Sequence, residues 1–365
     1  MKTRILSVDV LRGLTIFLMI VVNTPGSWNY VYAPLRHSAW NGCTPTDLVF
    51  PSFLFVVGLS MSISFKKMDP ANKRPILLKL LKRAALIFLI GLLLNWFPFY
   101  MTNIADLRIF GVLQRIALSF LLAGVCIVLF NGNRPLIGVL AVLLLGHWAL
   151  LYFLGGDAPY SLEGNFSNIL DKALVGERHI YKGFGIPFDP EGLLGTLSGA
   201  GQVILGYVIG KQTLKNGIPG LSHVKKLTGL AVALIVVALL WNTVYPINKP
   251  LWTGPYVLYT SGIIVAVWTL LIWLIDIQKQ GSWTLVFRVF GQNPLVSYML
   301  SVLVVKIFIY VLKIGDASFL GWSYQHIFQP VFSNELGSLM FAICFTFFIW
   351  LFAYWLYRKG KIIKV

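Results

Sequence analysis

A histidine, a tryptophan, an amide and a carboxylate lie within eleven residues of one another near the start of the chain. They are His37, Trp40, Asn41 and Asp47, in a polar loop that leads into a long apolar segment. A neutral imidazole accepts a proton, and a neighbouring carboxylate can orient it. The spacing therefore indicates a proton-handling site with His37 as base or nucleophile and Asp47 as its partner. Solvation of a loop and helix capping would use the same residue types.

The first apolar segment carries a polar stripe. Asp9 and Arg12 are three residues apart and can pair on one helix face. Asn23 returns to that face about 16 Å further along the axis. Charges inside a bilayer cost about 3 kcal/mol each and usually line functional cavities, and a structural ion pair that holds helices together is the alternative. Arg12 is a candidate to bind an anionic cosubstrate, and Asn23 or Asn41 to stabilise a tetrahedral oxyanion.

Two arginines open a later apolar segment. Arg108 and Arg115 are seven residues apart with a glycine and Gln114 between them, a spacing that predicts one face of a helix. Guanidinium groups in this arrangement bind phosphate or pyrophosphate. Pairing with Asp9 or Asp106 is the alternative.

Acids and aromatic residues are concentrated in the segment 155–191, the longest stretch between apolar segments. Its last acids, Asp189 and Glu191, are candidates to pair with the ammonium group and hydroxyls of an amino sugar, with aromatic rings stacking on the sugar face. A solvated loop, with Glu191 near the start of the next helix, is the alternative.

A second polar turn contains Asn248, Lys249 and Trp252. With Trp40, these residues are candidates to bind the same substrate. Trp252 would equally serve as an anchor at the membrane interface.

The composition defines the class of protein that must position these residues. Of the 365 residues, 57% are hydrophobic and only 12% charged, and the mean hydropathy is +0.77. Soluble domains carry about twice that charged fraction. The net charge of +17 is concentrated between apolar segments, which indicates membrane topology and excludes a nucleic-acid partner. Three widely separated cysteines favour neither a disulfide framework nor a metal site.

The expected fold is an all-α bundle of about ten transmembrane helices that forms a single domain, residues 1–365. The apolar segments lie near 5–23, 47–65, 84–101, 108–130, 135–154, 192–210, 227–245, 253–277, 286–312 and 335–357.

The distribution of basic residues predicts the orientation. Twenty of the thirty lysines and arginines belong to one set of loops and tails, including Lys2, Arg4, Lys364 and the segment 66–83, which also holds Asp69. Seven belong to the opposite set. The positive-inside rule places the first set and both termini in the cytoplasm and the His37 loop outside. The first segment is expected to be a retained helix, because charges interrupt its apolar run.

Several motifs resemble the heparan-alpha-glucosaminide N-acetyltransferase family. The most specific is His-x-x-Trp-Asn-Gly-x-Thr-x-x-Asp-Leu-Val-Phe-Pro, which begins at residue 37. Others are Ser-x-Asp-x-x-Arg-Gly-Leu-Thr, Arg-x-x-Gly-Val-Leu-Gln-Arg, Asp-Pro-Glu-Gly-Leu-Leu and Asn-Lys-x-Leu-Trp-Thr, which begin at residues 7, 108, 189 and 248. The resemblance extends along the whole chain. The chain lacks a histidine that the family often has near position 301, which argues against a mechanism with two histidines.

The resemblance implies a polytopic membrane enzyme that moves acetyl from acetyl-CoA to the amino group of a terminal glucosamine, with His37 as catalytic residue. The implied location is the bacterial inner membrane, with acetyl-CoA, an amino sugar and the lipid bilayer as partners and no metal. The sequence leaves open an O-acetyltransferase of envelope polysaccharide, a secondary transporter for amino sugars, and assembly as a monomer or a homodimer.

Overall fold

The computed structural model describes residues 5–67, 72–130, 132–215 and 217–363, and these form an almost entirely helical protein. A short hairpin pairs β1 (Lys313–Ile314) with β2 (Ala317–Ser318). In chain order the helices are α1 (Leu6–Asn23), α2 (Val49–Ser64), α3 (Lys73–Trp96), α4 (Val112–Leu129), α5 (Asn133–Leu154), α6 (Phe166–Val175), α7 (Gly195–Thr213), α8 (Leu221–Trp241), α9 (Gly254–Leu271), α10 (Leu285–Gln292), α11 (Pro294–Lys306), α12 (Phe319–Ser323), α13 (Gln329–Phe332) and α14 (Asn334–Arg358).

Eight helical segments of the described residues are long and apolar enough to cross a membrane, which confirms an all-α, polytopic membrane protein. α3 and α7 lie where two further spans are predicted. α3 begins with several basic residues, and α7 contains five glycines and is buried almost throughout, so it faces protein rather than lipid. The total of ten spans therefore stays a prediction.

Three features differ from the sequence-based expectation. α3 begins at Lys73, so five basic residues assigned to the 66–83 loop lie on its first three turns. The 155–191 segment is not simply a loop, because it contains α6. The segment 286–312 is divided at Asn293, because Pro294 cannot continue α10. The predictions about Lys2, Arg4, Asp69 and Lys364 concern residues outside those that the structure describes.

α2 and α7 form the centre of the bundle, and glycines allow their close contact. A Cβ atom at Gly58 would lie 1.9 Å from the carbonyl oxygen of Val203, and one at Gly206 would lie 2.1 Å from that of Phe55. Small residues at both crossings let the backbones touch, as the glycines of the sixth predicted segment indicated. This contact fixes α2, and the turn just before α2 carries Asp47, one of the candidate site residues.

α2 and α4 both begin on the predicted outer face and run inward in parallel. A 3-10 turn, Pro45–Leu48, leads directly into α2. Gly111 precedes α4, and its backbone is extended. The two helices therefore bring their first residues to one region on the outer side of the bundle.

Candidate active site

An outer cavity of about 270 Å³ lies at the beginnings of α2 and α4. It contains His37 and Asp47 from one loop and Lys249 from a turn more than two hundred residues later. The other residues that line it are Ser38, Arg108, Val112, Tyr181, Phe184, Pro190, Glu191, Pro250 and Trp252.

The carboxylate of Asp47 has two separate tasks. Its Oδ2 accepts hydrogen bonds from the backbone N–H groups of Ser38 and Thr44 and from the Thr44 hydroxyl, each at 3.0 Å. This is the capping function that the sequence left open, and it locks the turn before α2. The Asp47 side chain is fully buried, so its Oδ1 is held rigidly for a second partner.

That second partner is His37. Its Nδ1 lies 2.7 Å from Oδ1 of Asp47, while 45% of the histidine side chain is exposed. Nζ of Lys249 lies 3.1 Å from the same oxygen and 2.9 Å from Nδ1. An ionised carboxylate has no hydrogen to donate, so Nδ1 carries the hydrogen and Lys249 donates to Asp47. This tautomer leaves Nε2 of His37 as the basic nitrogen.

Cys43 does not supply a nucleophile beside this group. Burial raises the pKa of its thiol to about 12, and the negative charge of Asp47 acts in the same direction. A cysteine attacks as the thiolate, which is scarce at neutral pH with such a pKa.

Arg108 belongs to the outer cavity and not to a face shared with Arg115, because α4 begins only at Val112. Its guanidinium donates two hydrogen bonds to Asp189, at 2.9 and 2.7 Å, and one to Glu191 at 2.6 Å. Burial opposes the charge of Arg108, but these bonds outweigh it and raise the pKa of Arg108 above its ordinary value. Asp189 is thus fully engaged, whereas Glu191 is partly exposed.

Three other predicted site residues hold the outer loops together and do not line the cavity. The Asn248 amide donates to the carbonyl oxygen of Trp40 at 3.2 Å and to the side chain of Asn41 at 3.0 Å. The indole N–H of Trp40 donates to the carbonyl oxygen of Tyr160 at 2.7 Å. Their polar groups are therefore used to position the His37 loop against the 246–252 turn.

Arg115 and Gln114 are sealed inside the bundle. Arg115 donates to the carbonyl oxygens of Gly192 at 2.7 Å and Pro190 at 3.2 Å, and it stacks on Trp252. Neither Arg115 nor Gln114 lines either cavity, and phosphate binding by these two residues stays a prediction. Helix periodicity predicted a shared face, but the extended backbone before Val112 separates the two arginines.

A second, inner cavity of about 680 Å³ lies further along α2 and α4 toward the predicted cytoplasmic face. Arg12, Lys79 and Arg83 line it together with many apolar side chains, and no acid is among its described lining residues. Arg12 pairs with Asp9 at 3.3 Å, as predicted, and donates to the hydroxyl of Ser60 at 2.7 Å. Asn23 is exposed at the end of α1 and lines neither cavity.

Some residues of these sites were not predicted from the sequence. Thr44 forms a capping box with Asp47, and the Thr-x-x-Asp spacing was a usable signal for it. Ser60 gave no signal, because it is one of four serines in the apolar helix α2 and its spacing does not distinguish it. Tyr181 belongs to the aromatic residues of the segment 155–191, and the guanidinium of Arg108 lies over its ring, 4.5 Å from the ring centre.

The fold and the site define a polytopic membrane protein with a histidine–carboxylate pair in an outer cavity and a basic cavity on the opposite side. The family model described as heparan-alpha-glucosaminide N-acetyltransferase, catalytic, matches residues 4–160. The human protein of that name is 26% identical over 99% of this chain and 60% of its own length. The mouse protein gives the same values. The resemblance to this family is therefore confirmed, and the chain spans about 60% of the length of these curated relatives.

Proposed function

We propose that this chain is a multi-pass acetyltransferase of the bacterial inner membrane. It takes acetyl from cytosolic acetyl-CoA and transfers it to the amino group of a glucosamine-type sugar on the extracytoplasmic face. The names of the human and mouse relatives support the acetyl transfer and the amino-sugar acceptor.

The observation that carries this proposal is the pair of cavities along α2 and α4. The outer cavity holds His37, and the inner cavity is basic and opens toward the opposite side. A donor made in the cytoplasm and an acceptor outside would need such an arrangement, because acetyl-CoA is too charged to cross a bilayer unaided.

The inner cavity suits the donor. Acetyl-CoA combines a polyanionic head with a long, largely uncharged arm. Lys79 and Arg83 are four residues apart on α3 and line the cavity, so their charges attract the phosphates. The apolar residues of α2 and α4 line the same space and suit the arm. This assigns donor binding to the basic start of α3 and to Arg12, in place of Arg108, Gln114 and Arg115.

The outer cavity suits the acceptor and the chemistry. His37, with its Nδ1 hydrogen held by Asp47, accepts the proton of the attacking amine at Nε2. Asp47 stabilises the imidazolium that forms, and Lys249 helps to hold the carboxylate in place. Glu191 is the acidic side chain available to the sugar, and Tyr181 and Phe184 present rings to its face. Asp189, Asn248 and Trp40 are hydrogen-bonded to other parts of the protein, so we assign them a structural role rather than contact with the sugar.

Sealed inside-out vesicles test the whole proposal. Acetyl-CoA added to the bath meets the cytoplasmic side, and glucosamine trapped in the lumen meets the His37 side. N-acetylglucosamine should accumulate in the lumen while free CoA appears in the bath. Export of unchanged glucosamine without any need for acetyl-CoA would identify a transporter. Acetylation only with both substrates on one side would contradict transfer across the membrane, and an ester product would identify an O-acetyltransferase.

A further inference from the structure

The two cavities are separated by a septum about one helical turn thick. On α4, Val112 lines the outer cavity and Ile116 lines the inner cavity. Four helical residues correspond to about 6 Å along the axis. Asp47, in the 3-10 turn just before α2, lines the outer cavity, and Phe53 on α2 lines the inner cavity. A flexible arm that reaches from the inner cavity to His37 must therefore cross this septum.

Phe50 and Trp252 meet beside this septum. Phe50 lies on α2 between Asp47 and Phe53, and its ring centre is 4.8 Å from that of Trp252, edge to face. Trp252 lines the outer cavity that also contains His37, although only 1% of its surface is exposed. The indole is thus next to the place where an acyl group would arrive.

The backbone holds Trp252 in an unusual conformation. Its φ angle is 56°, in the left-handed region that bulky residues rarely adopt. Its backbone N–H donates to the carbonyl oxygen of Lys249 at 2.9 Å, which closes the turn that carries both residues. Such strain persists where the surrounding structure requires a side chain in one particular place.

The indole N–H of Trp252 has no acceptor among the described residues. Indole N–H groups ordinarily find a partner, as those of the half-buried Trp40, Trp96, Trp148 and Trp350 do here. The fully buried Trp252 and Trp268 both lack one among the described residues. The rings of Phe50 and Tyr256 contact Trp252, but an aromatic face is a weak acceptor. The indole N–H of Trp252 is therefore a strong hydrogen-bond donor beside the outer cavity, with no acceptor among the described residues.

We propose that the indole N–H of Trp252 donates a hydrogen bond to the carbonyl oxygen of the acetyl thioester and to the oxyanion formed from it. This rests on the proposed acetyl transfer. It also replaces the expectation that Asn23 or Asn41 does so, because neither of these asparagines lines either cavity.

The amine nitrogen of the sugar attacks the carbonyl carbon, a C–N bond forms, and the electron pair of the C=O bond moves to the oxygen beside Trp252. His37 accepts a proton from the nitrogen. When the C=O bond re-forms, the C–S bond breaks, and the thiolate of CoA takes up the proton from His37. The products are an amide and free CoA thiol.

The experiment compares Trp252→Phe with Trp268→Phe in the full chain, reconstituted in lipid. Trp268 is a matched control, since its indole N–H is also buried without an acceptor among the described residues but lines neither cavity. Removing one oxyanion donor lowers kcat by about 10²-fold. We expect that loss in Trp252→Phe, with KM for glucosamine within about twofold, and nearly normal kcat in Trp268→Phe.

Binding of two donor analogues separates a hydrogen bond from a loss of packing. S-ethyl-CoA lacks the carbonyl group of acetyl-CoA but keeps its size. Trp252→Phe should reduce the preference for acetyl-CoA over S-ethyl-CoA by about fivefold, whereas a packing defect would weaken both alike. An unchanged preference with unchanged kcat overturns the inference, and so does equal weakening of both ligands. If Trp252→Phe does not fold, replacing Trp252 by 3-benzothienylalanine, which exchanges only the N–H for sulfur, gives the same test. Failure of the wild-type chain to acetylate glucosamine would instead reject the proposed function.

Discussion

Oδ1 of Asp47 lies 2.7 Å from Nδ1 of His37, while Oδ2 of the same carboxylate caps the turn that begins α2. One side chain therefore couples the start of a central helix to the orientation of the candidate base. The Lys249 ammonium completes the arrangement from a turn more than two hundred residues away. This relationship leads to the first prediction.

His37→Ala is expected to abolish most acetyl transfer while acetyl-CoA still binds. Loss of general base catalysis costs about 10²- to 10⁴-fold in rate, and His37 lines the outer cavity only. The measurement is CoA thiol release with glucosamine, together with acetyl-CoA binding at equilibrium. His326→Ala is the control, because His326 lines neither cavity and stacks on Trp322. A parallel loss of donor binding in a folded His37 variant would contradict a chemical role.

Arg108→Gln is expected to destabilise the outer loops rather than donor binding. It removes the bidentate bond to Asp189 and the bond to Glu191, which leaves a fully buried carboxylate without its cation. We expect a loss of about 3 kcal/mol in the free energy of unfolding and a higher KM for the sugar. Thermal unfolding in detergent and kinetics with each substrate measure this, with exposed Arg178→Gln as control. A selective rise in the KM for acetyl-CoA would restore the phosphate-binding reading from the sequence.

Lys79→Gln and Arg83→Gln are each expected to raise the KM for acetyl-CoA by about fivefold, the effect of removing one partly exposed charge. The KM for glucosamine should not change, because both residues line the inner cavity. Lys82→Gln on the same helix is the matched control, since Lys82 does not line that cavity. An equal rise in the KM for acetyl-CoA in all three variants would indicate attraction by the general surface charge rather than by a binding site. The salt dependence of this KM would further distinguish these two explanations.

Asp171 should make stability fall as the pH rises toward neutrality. Burial raises the pKa of this carboxyl to about 7, and the nearby charge of Asp189 acts in the same direction. The unfolded chain has a value of about 3.9, so between these values the folded state binds more protons and loses stability as pH increases. The expected loss from pH 4 to 7 is on the order of 4 kcal/mol.

Asp171→Asn should remove this pH dependence. The substituted amide oxygen can still accept the hydrogen bond that Leu193 N–H donates to Asp171 at 2.9 Å. The measurement is the midpoint of thermal unfolding at several pH values in detergent, with exposed Asp157→Asn as control. The variant should be more stable than the wild-type chain at pH 8. An identical pH profile for both proteins would show that Asp171 is ionised throughout.

Short-range relationships could be predicted from the sequence. Asp9 and Arg12 pair because three residues bring side chains to one helix face, and His37 reaches Asp47 because a capped turn folds the short loop between them back on itself. The long apolar segments predicted the helical membrane protein, since a span must satisfy its backbone hydrogen bonds internally.

Only the tertiary structure decided which distant segments share a cavity. Lys249 joins His37 through loop packing that no periodicity encodes. Arg108 lines the outer cavity, whereas Arg115 is buried inside the bundle. The two side chains differ because the backbone before Val112 is extended, so helix spacing does not apply there. The sequence suggests that Asp189 binds a cationic group of a substrate. In the structure, both of its carboxylate oxygens already accept hydrogen bonds from Arg108. Local spacing sets contacts within a helix or a short loop, whereas the contacts between segments depend on how the whole bundle packs.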